Sequence, residues 1–123
     1  MTDPRRQLGR WGETLAARRL QAAGHRIVER NYRCPAGEMD LVTTIGDQWV
    51  FLEVKTRRGD AYGLPEDAIT PAKAARLLTI AESYLQAHGL VDVDWRVDLF
   101  AIELDASGRL LRTEQIENAV TGW

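Results

Sequence analysis

Asp40, Glu53 and Lys55 are the residues of this chain best suited to chemistry, because residues 37 to 56 read as a β-hairpin that folds them together. Gly46 and Asp47 separate two apolar runs, a two-residue hairpin signal with glycine at the first central position of the turn. With Ile45 paired to Gln48, counting back sets Asp40 opposite Glu53 and Glu38 opposite Lys55. All four then share one face, because side chains alternate along a strand, while Val50, Leu52 and Val54 take the other. Directly opposed side chains lie roughly 5 Å apart, and like charges there destabilise a sheet. Asp40 against Glu53 therefore calls for a counter-charge. A divalent cation, Mg²⁺ or Mn²⁺, suits the pair: Mg²⁺ takes a few carboxylate oxygens, keeps several waters and completes its shell with substrate phosphates. The Val54 carbonyl, between the two acidic positions and the lysine, is a candidate third ligand. Lys55 points at the same site, where its ammonium can hold an attacking water or offset charge on a phosphate. Of 16 basic residues, 14 are arginine, and only Lys55 and Lys73 are lysine, so lysine at this position is unlike the rest of the chain. The alternative is a solvated hairpin face on which Glu38 and Lys55 form an ion pair and nothing binds.

Asp40 followed by Glu53-Val54-Lys55 resembles the Asp…(Asp/Glu)-x-Lys signature of the restriction-endonuclease-like nuclease superfamily. The phrases Gly37-Glu38-Met39-Asp40-Leu41 and Phe51-Leu52-Glu53-Val54-Lys55-Thr56-Arg57 are similar, more narrowly, to the YraN-like family of small bacterial proteins, which is related to archaeal Holliday-junction resolvases. Gly9-Arg10-Trp11-Gly12-Glu13 upstream, and Tyr62-Gly63, Ala72-Lys73 and Arg76-Leu77 downstream, extend the likeness over roughly residues 8 to 117. Met39 stands where the superfamily pattern carries proline. The resemblance implies a restriction-endonuclease-like αβββαβ core, a Mg²⁺-dependent endonuclease activity on DNA with a preference for branched substrates, and a homodimer, since a resolvase must cut two strands symmetrically. It also implies that Glu13, on the first helix, joins the acidic site, as related resolvases carry an acidic residue there.

At 123 residues the chain has the length of one domain with a real core, taken here as residues 1 to 123. Its apolar runs are far shorter than a membrane span, and Met1-Thr2-Asp3-Pro4-Arg5-Arg6 leads into no apolar segment of a secretory signal, so the expectation is a cytoplasmic protein with no membrane partner. A single cysteine, Cys34, rules out an internal disulfide and a multi-cysteine zinc site. It reads as a strand-end or loop residue rather than a nucleophile. The net charge of −2 argues against a generally basic nucleic-acid binder, but the charge is uneven: residues 1 to 76 hold 13 basic and 10 acidic residues, and residues 77 to 123 hold 3 and 8. Setting aside Glu13, Glu38, Asp40 and Glu53, the first segment is strongly basic, as expected of phosphate contacts around a metal-binding acidic centre. A chance excess of solvated arginines explains the count equally well.

The elements that position these groups follow from periodicity. Leu8, Trp11, Leu15 and Leu20 recur at helical spacing, and Gly24 can close that helix. Gly9, Ala16 and Ala17 beside Glu13 would let its face approach a sheet. Residues 25 to 32 read as the first strand, the hairpin as the next two, and 56 to 65 as a loop. Thr70 and Pro71 read as N-cap and first residue of a helix whose apolar face holds Ala74, Leu77, Leu78, Ala81, Tyr84 and Leu85, with Gly89 at its end. Residues 95 to 104 alternate as a long strand, with Asp98 facing away from Val97 and Leu99, and 110 to 116 form a last strand. The order α-β-β-β-α-β-β predicts an α/β fold around a mixed sheet, parallel where the long helix crosses over.

The assignment is Asp40 and Glu53, with the Val54 carbonyl, as metal ligands, and Lys55 as the group that orients water or phosphate. Glu13 and Glu38 serve as outer ligand or general base. Arg10, Arg57, Lys73 and Arg76 are the candidate contacts to a nucleic-acid backbone. RNA stays open beside DNA as the substrate. The competing expectation is a non-catalytic nucleic-acid-binding module that keeps the nuclease fold without turnover.

Overall fold

The computed structural model describes residues 3 to 59 and 63 to 120. Helix α1 (Pro4–Ala22) starts at Asp3, whose carboxylate accepts the Arg5 N–H at 3.0 Å, and carries proline at the start of its first turn. Three strands follow, β1 (Arg26–Cys34), β2 (Gly37–Ile45) and β3 (Gln48–Arg58). A short 3₁₀ turn (Pro65–Ala68) leads into helix α2 (Pro71–Ala87), and strands β4 (Asp94–Leu104) and β5 (Leu110–Val120) complete the chain. The five strands lie in the order β1-β2-β3-β4-β5. All neighbours are antiparallel except β3 and β4, which α2 joins as a crossover. This is the α/β restriction-endonuclease-like αβββαβ core, with β5 added at one edge.

Each face of the sheet is covered by one helix. On one side Phe51, Val42, Met39 and Val97 pack with Leu77, Ile80, Ala81 and Tyr84 of α2; on the other Leu41, Val50, Leu52 and Ile102 pack with Ala16 and Leu20 of α1. Leu20 and Leu41 are fully buried, each contributing about 2 kcal/mol by area removed from water. The apolar face expected of α2 is the buried one, with Ile80 added and Leu78 only partly covered. Thr70 caps that helix, its hydroxyl accepting the Lys73 N–H at 3.2 Å.

Strand ends and one helix contact differ from the sequence reading: β1 runs to Cys34 rather than residue 32, and β5 to Val120 rather than residue 116. β3 runs on to Arg58 where a loop was expected, because parallel pairing with β4 continues through Arg58↔Leu104. The approach of α1 to the sheet depends on Gly12 rather than Gly9: a Cβ on Gly12 would lie 2.2 Å from Thr56 Oγ1, whereas one on Gly9 would meet nothing. Cys34 ends β1 as a free thiol, and Tyr62 lies outside the described residues.

Asp98 lies on an interior strand and is fully buried. It accepts from Arg96 Nε at 3.0 Å, Gln115 Nε2 at 2.9 Å and the Asn118 N–H at 2.8 Å. Gln115 Nε2 also lies 3.5 Å from His25 Nε2, and His25 Nδ1 lies 2.9 Å from Thr43 Oγ1. Thr43 donates its single hydroxyl proton to the Val50 carbonyl at 3.1 Å, so His25 Nδ1 carries the proton of that contact and Nε2 is left to accept. Burial, then the nearby Arg96 guanidinium, holds the His25 pKa below its usual range.

Candidate functional site

The hairpin has the expected register, from Ile45↔Gln48 to Leu41↔Leu52, and then opens one pair short of Asp40 and Glu53. Asp40 causes the opening: its Oδ2 accepts the Val54 N–H at 2.8 Å, occupying the donor that a continuing β2 backbone would have used. A strand residue's N–H and C=O point to the same side, so the Val54 carbonyl is directed into the same gap. Alternation along β2 is also interrupted here, since Met39 and Val42 both pack towards α2 while Leu41 packs towards α1. On β1, between the pairs Arg30↔Leu41 and Tyr32↔Met39, Asn31 adopts φ 56°, a left-handed conformation asparagine tolerates better than most residues.

Two clefts meet at this opening. The larger, about 590 Å³, runs along the α1 side past Glu13, Asp40, Glu53, Lys55, Arg57 and Arg58, with Arg5 at its helical wall. The smaller, about 290 Å³, lies on the α2 side between Glu38, Asp40, Glu53, Lys73 and Arg76. Asp40 and Glu53 are common to both. The gap in the sheet thus places the two carboxylates where the α1 and α2 sides communicate, with cationic side chains on either hand.

The electrostatics follow from this crowding. Burial, then the facing Glu53 carboxylate, pushes the Asp40 carboxyl up to about 8, against the lowering effect of the Val54 N–H. Glu13 is raised by burial and by Glu38 and Glu53, opposed by Arg30 and by the Asn31 amide. Lys55 is lowered by burial and by the neighbouring Arg57 and Lys73 charges. Asp40 is therefore far more readily protonated than an ordinary aspartate, and a cation beside it would favour its ionised form.

Most groups named from sequence converge here, with altered partners. Glu38 and Lys55 open onto different clefts, and the ion pair considered between them is absent; Glu38 lies 3.6 Å from Arg33 Nε across an exposed contact. The hairpin opens before their register position, which is why the pair does not form. Lys73 binds Glu53, Nζ to Oε1 at 2.9 Å. Arg57 lines the larger cleft and Arg76 the smaller, while Arg10 is exposed on α1; Arg5 and Arg58 line the cleft instead. Asn31 was not singled out from the sequence. With its amide oriented to satisfy the surrounding acceptors, its nitrogen donates to Glu13 Oε1 at 2.7 Å and Glu38 Oε1 at 2.9 Å. A polar, αL-tolerant residue inside an otherwise alternating strand was the available signal.

Residues 12 to 102 match the model of the uncharacterised protein family UPF0102. The chain belongs to the UPF0102 family. A UPF0102 protein of Pelotomaculum thermopropionicum is 45% identical over 119 residues, covering 97% of this chain and 99% of its own. Those of Roseiflexus castenholzii and Streptomyces coelicolor are 43% and 49% identical, over 98% and 86% of this chain and 98% and 83% of theirs. UPF0102 is the family to which the YraN-like phrases pointed. Among solved structures, Pyrococcus furiosus SfsA in complex with Ca²⁺ aligns with 91% of this chain and 63% of its own, at 15% identity and a TM-score of 0.44. In this UPF0102 member no described helix is long and apolar enough to cross a membrane.

Proposed function

We propose that this protein is a metal-dependent endonuclease that hydrolyses phosphodiester bonds in DNA. The observation that carries the reading is the placement of Asp40 against Glu53, two crowded carboxylates at the junction of two cation-lined clefts. Among the described residues no three His, Cys, Asp or Glu side chains form a ready-made metal cluster. Two carboxylates and an inward strand carbonyl nevertheless fit Mg²⁺ or Mn²⁺, which leave the rest of their shell to water and substrate oxygens. Asp40, Glu53 and the Val54 carbonyl would hold the ion. Bound there, it would polarise the phosphate and lower the pKa of a coordinated water.

The chain's own groups supply the remainder. Lys55 lines the larger cleft, where its ammonium would orient the attacking water or steady the phosphate. Its lowered pKa reflects a desolvated, crowded position in which that charge acts strongly. Glu13 or Glu38, held by Asn31, takes a proton from the attacking water as its oxygen bonds to phosphorus, and the sugar oxygen departs as the phosphorus–oxygen bond breaks and takes a proton from solvent water. Arg57, Arg76, Arg5 and Arg58 contact backbone phosphates on the two sides, fixing the strand without reading its sequence. Arg10, exposed on α1, is placed for a more peripheral phosphate.

A branched-DNA preference and a homodimer that presents two such sites belong to the same proposal. Comparing cleavage of a labelled four-way junction, a linear duplex and a single strand tests the preference. Faster cutting of the junction supports it, and equal rates on all three remove it; RNA of matched sequence in the same series decides the sugar.

A second reading has one observation in its favour. Lys73 already neutralises Glu53, so the acidic pair is partly satisfied without a metal, as in a binding module lacking turnover. Thermal stability separates the two: a metal site gains stability with Mn²⁺, and a salt-bridged module does not.

A further inference from the structure

Both lysines of an otherwise arginine-rich chain converge on Glu53, and Lys73 does so from an unfavourable place. With Thr70 as N-cap, Lys73 is the third residue of α2, where backbone N–H groups and the helix dipole favour an acidic side chain. The first turn of α2 contains no acidic residue to compensate it. Its Nζ instead crosses the smaller cleft to Glu53 Oε1 at 2.9 Å, with 29% of the lysine side chain and 13% of the glutamate exposed. Arg76, one turn further along the same helix, lines the same cleft.

We propose that Lys73 is an internal counter-ion that occupies Glu53 in the metal-free protein and is displaced when a divalent cation binds. This rests on the reading of Asp40 and Glu53 as a metal site. The Glu53 carboxylate is shared between the two occupants, so an ammonium on Oε1 opposes the cation both by holding the oxygen and by like charge. Lysine suits this part: it is a compact charge on a flexible stem with rotatable donors, whereas a guanidinium fork would grip both oxygens and release them less readily. Once displaced, the ammonium would be left in the smaller cleft at the positive end of α2, beside Arg76, free to meet a phosphate. Metal loading would thereby create a phosphate contact that the metal-free protein keeps engaged internally.

Calorimetric titration of the full chain with Mn²⁺ alone tests this in wild type, Lys73→Gln, Lys73→Arg and Arg76→Gln. Removing the competing ammonium is expected to tighten Mn²⁺ binding roughly five-fold in Lys73→Gln, the scale of a partly exposed ion pair. Lys73→Arg, which keeps the charge and strengthens the grip, is expected to weaken it. Arg76→Gln removes a charge from the same cleft without touching Glu53 and should change the affinity by less than about two-fold. Lys73→Gln is also expected to lower the melting temperature in EDTA and to regain more than wild type with Mn²⁺. Wild-type binding that is unchanged or weakened in Lys73→Gln overturns the counter-ion role and leaves the metal site standing. Should Lys73→Gln fold poorly, affinity in Lys73→Arg equal to or tighter than wild type overturns it as well. Absence of Mn²⁺ binding by every form overturns both the counter-ion and the metal site.

Discussion

The Asp40 carboxylate accepts the Val54 N–H at 2.8 Å, so that a side chain of β2 replaces its backbone as the partner of β3. This one substitution opens the sheet at the point where Asp40 meets Glu53. It also fixes the orientation of Asp40 before any ligand arrives, which is the pre-organisation a cation site needs.

The same contact gives a pH dependence whose sign can be worked out. An unfolded Asp40 ionises near 3.8, whereas the folded carboxyl keeps its proton up to about 8. The native state thus binds more protons between these values, and metal-free stability falls as pH rises from about 4 to 8. Asp40→Asn retains an acceptor for Val54 and removes the ionisation penalty. Near pH 8 in EDTA it is predicted to be more stable than wild type by about 2 kcal/mol, less than the full shift because neighbouring carboxylates titrate with it. Denaturant melts across that pH range check it; a variant less stable than wild type throughout would contradict the account.

Gly12 sets the distance between α1 and β3. Gly12→Ala puts a methyl 2.2 Å from Thr56 Oγ1 and is predicted to cost about 1–3 kcal/mol despite alanine's higher helix propensity. Thr56 Oγ1 is buried and makes no hydrogen bond among the described residues, so Thr56→Ala should be nearly neutral. The double variant should recover much of the loss, which a double-mutant cycle by urea denaturation measures. Full additivity of the two changes would show that the contact does not govern the spacing.

His25 introduces a second pH dependence of opposite sense. Its folded pKa is lowered, so it stays neutral in the native state while the unfolded chain takes up a proton near 6.5. Stability from this residue is present above that value and is lost as pH falls below it, because burial and then the Arg96 charge disfavour the protonated ring. His25→Gln is predicted to be less stable than wild type at neutral pH and to lose less between about pH 7.5 and pH 5. Equal losses in both proteins would place the acid sensitivity elsewhere.

How much of this was legible in the sequence differs by element. Turn chemistry at Gly46-Asp47 and the Thr70-Pro71 cap are local signals, and the hairpin register and the start of α2 follow from them as read. The αβββαβ order and the parallel β3/β4 pair were likewise legible, because a helix-length segment between strands demands a crossover. The opening at Asp40 was not, since counting register assumes that the backbone ladder continues. The Lys73 to Glu53 pair and the Asn31 bridge join residues 20 and 18 positions or fewer apart in sequence but on different elements, so only the packed fold reveals them. Gly12 escaped for a related reason: several small residues were available on α1, and only the docked helix shows which one meets Thr56.

If Asp40, Glu53 and Lys55 form one metal-dependent hydrolytic site, cleavage depends on a divalent cation and on each of these side chains. The most direct measurement is cleavage of a labelled DNA panel, linear and branched, with Mg²⁺ or Mn²⁺ by wild type, Asp40→Asn and Lys55→Ala under single-turnover conditions. Metal-dependent cutting by wild type is expected, with a loss of about 10²-fold or more in each variant, the scale for removing a group that acts on the transition state. Cutting that persists in both variants, or DNA binding without cutting by wild type in either metal, would contradict it.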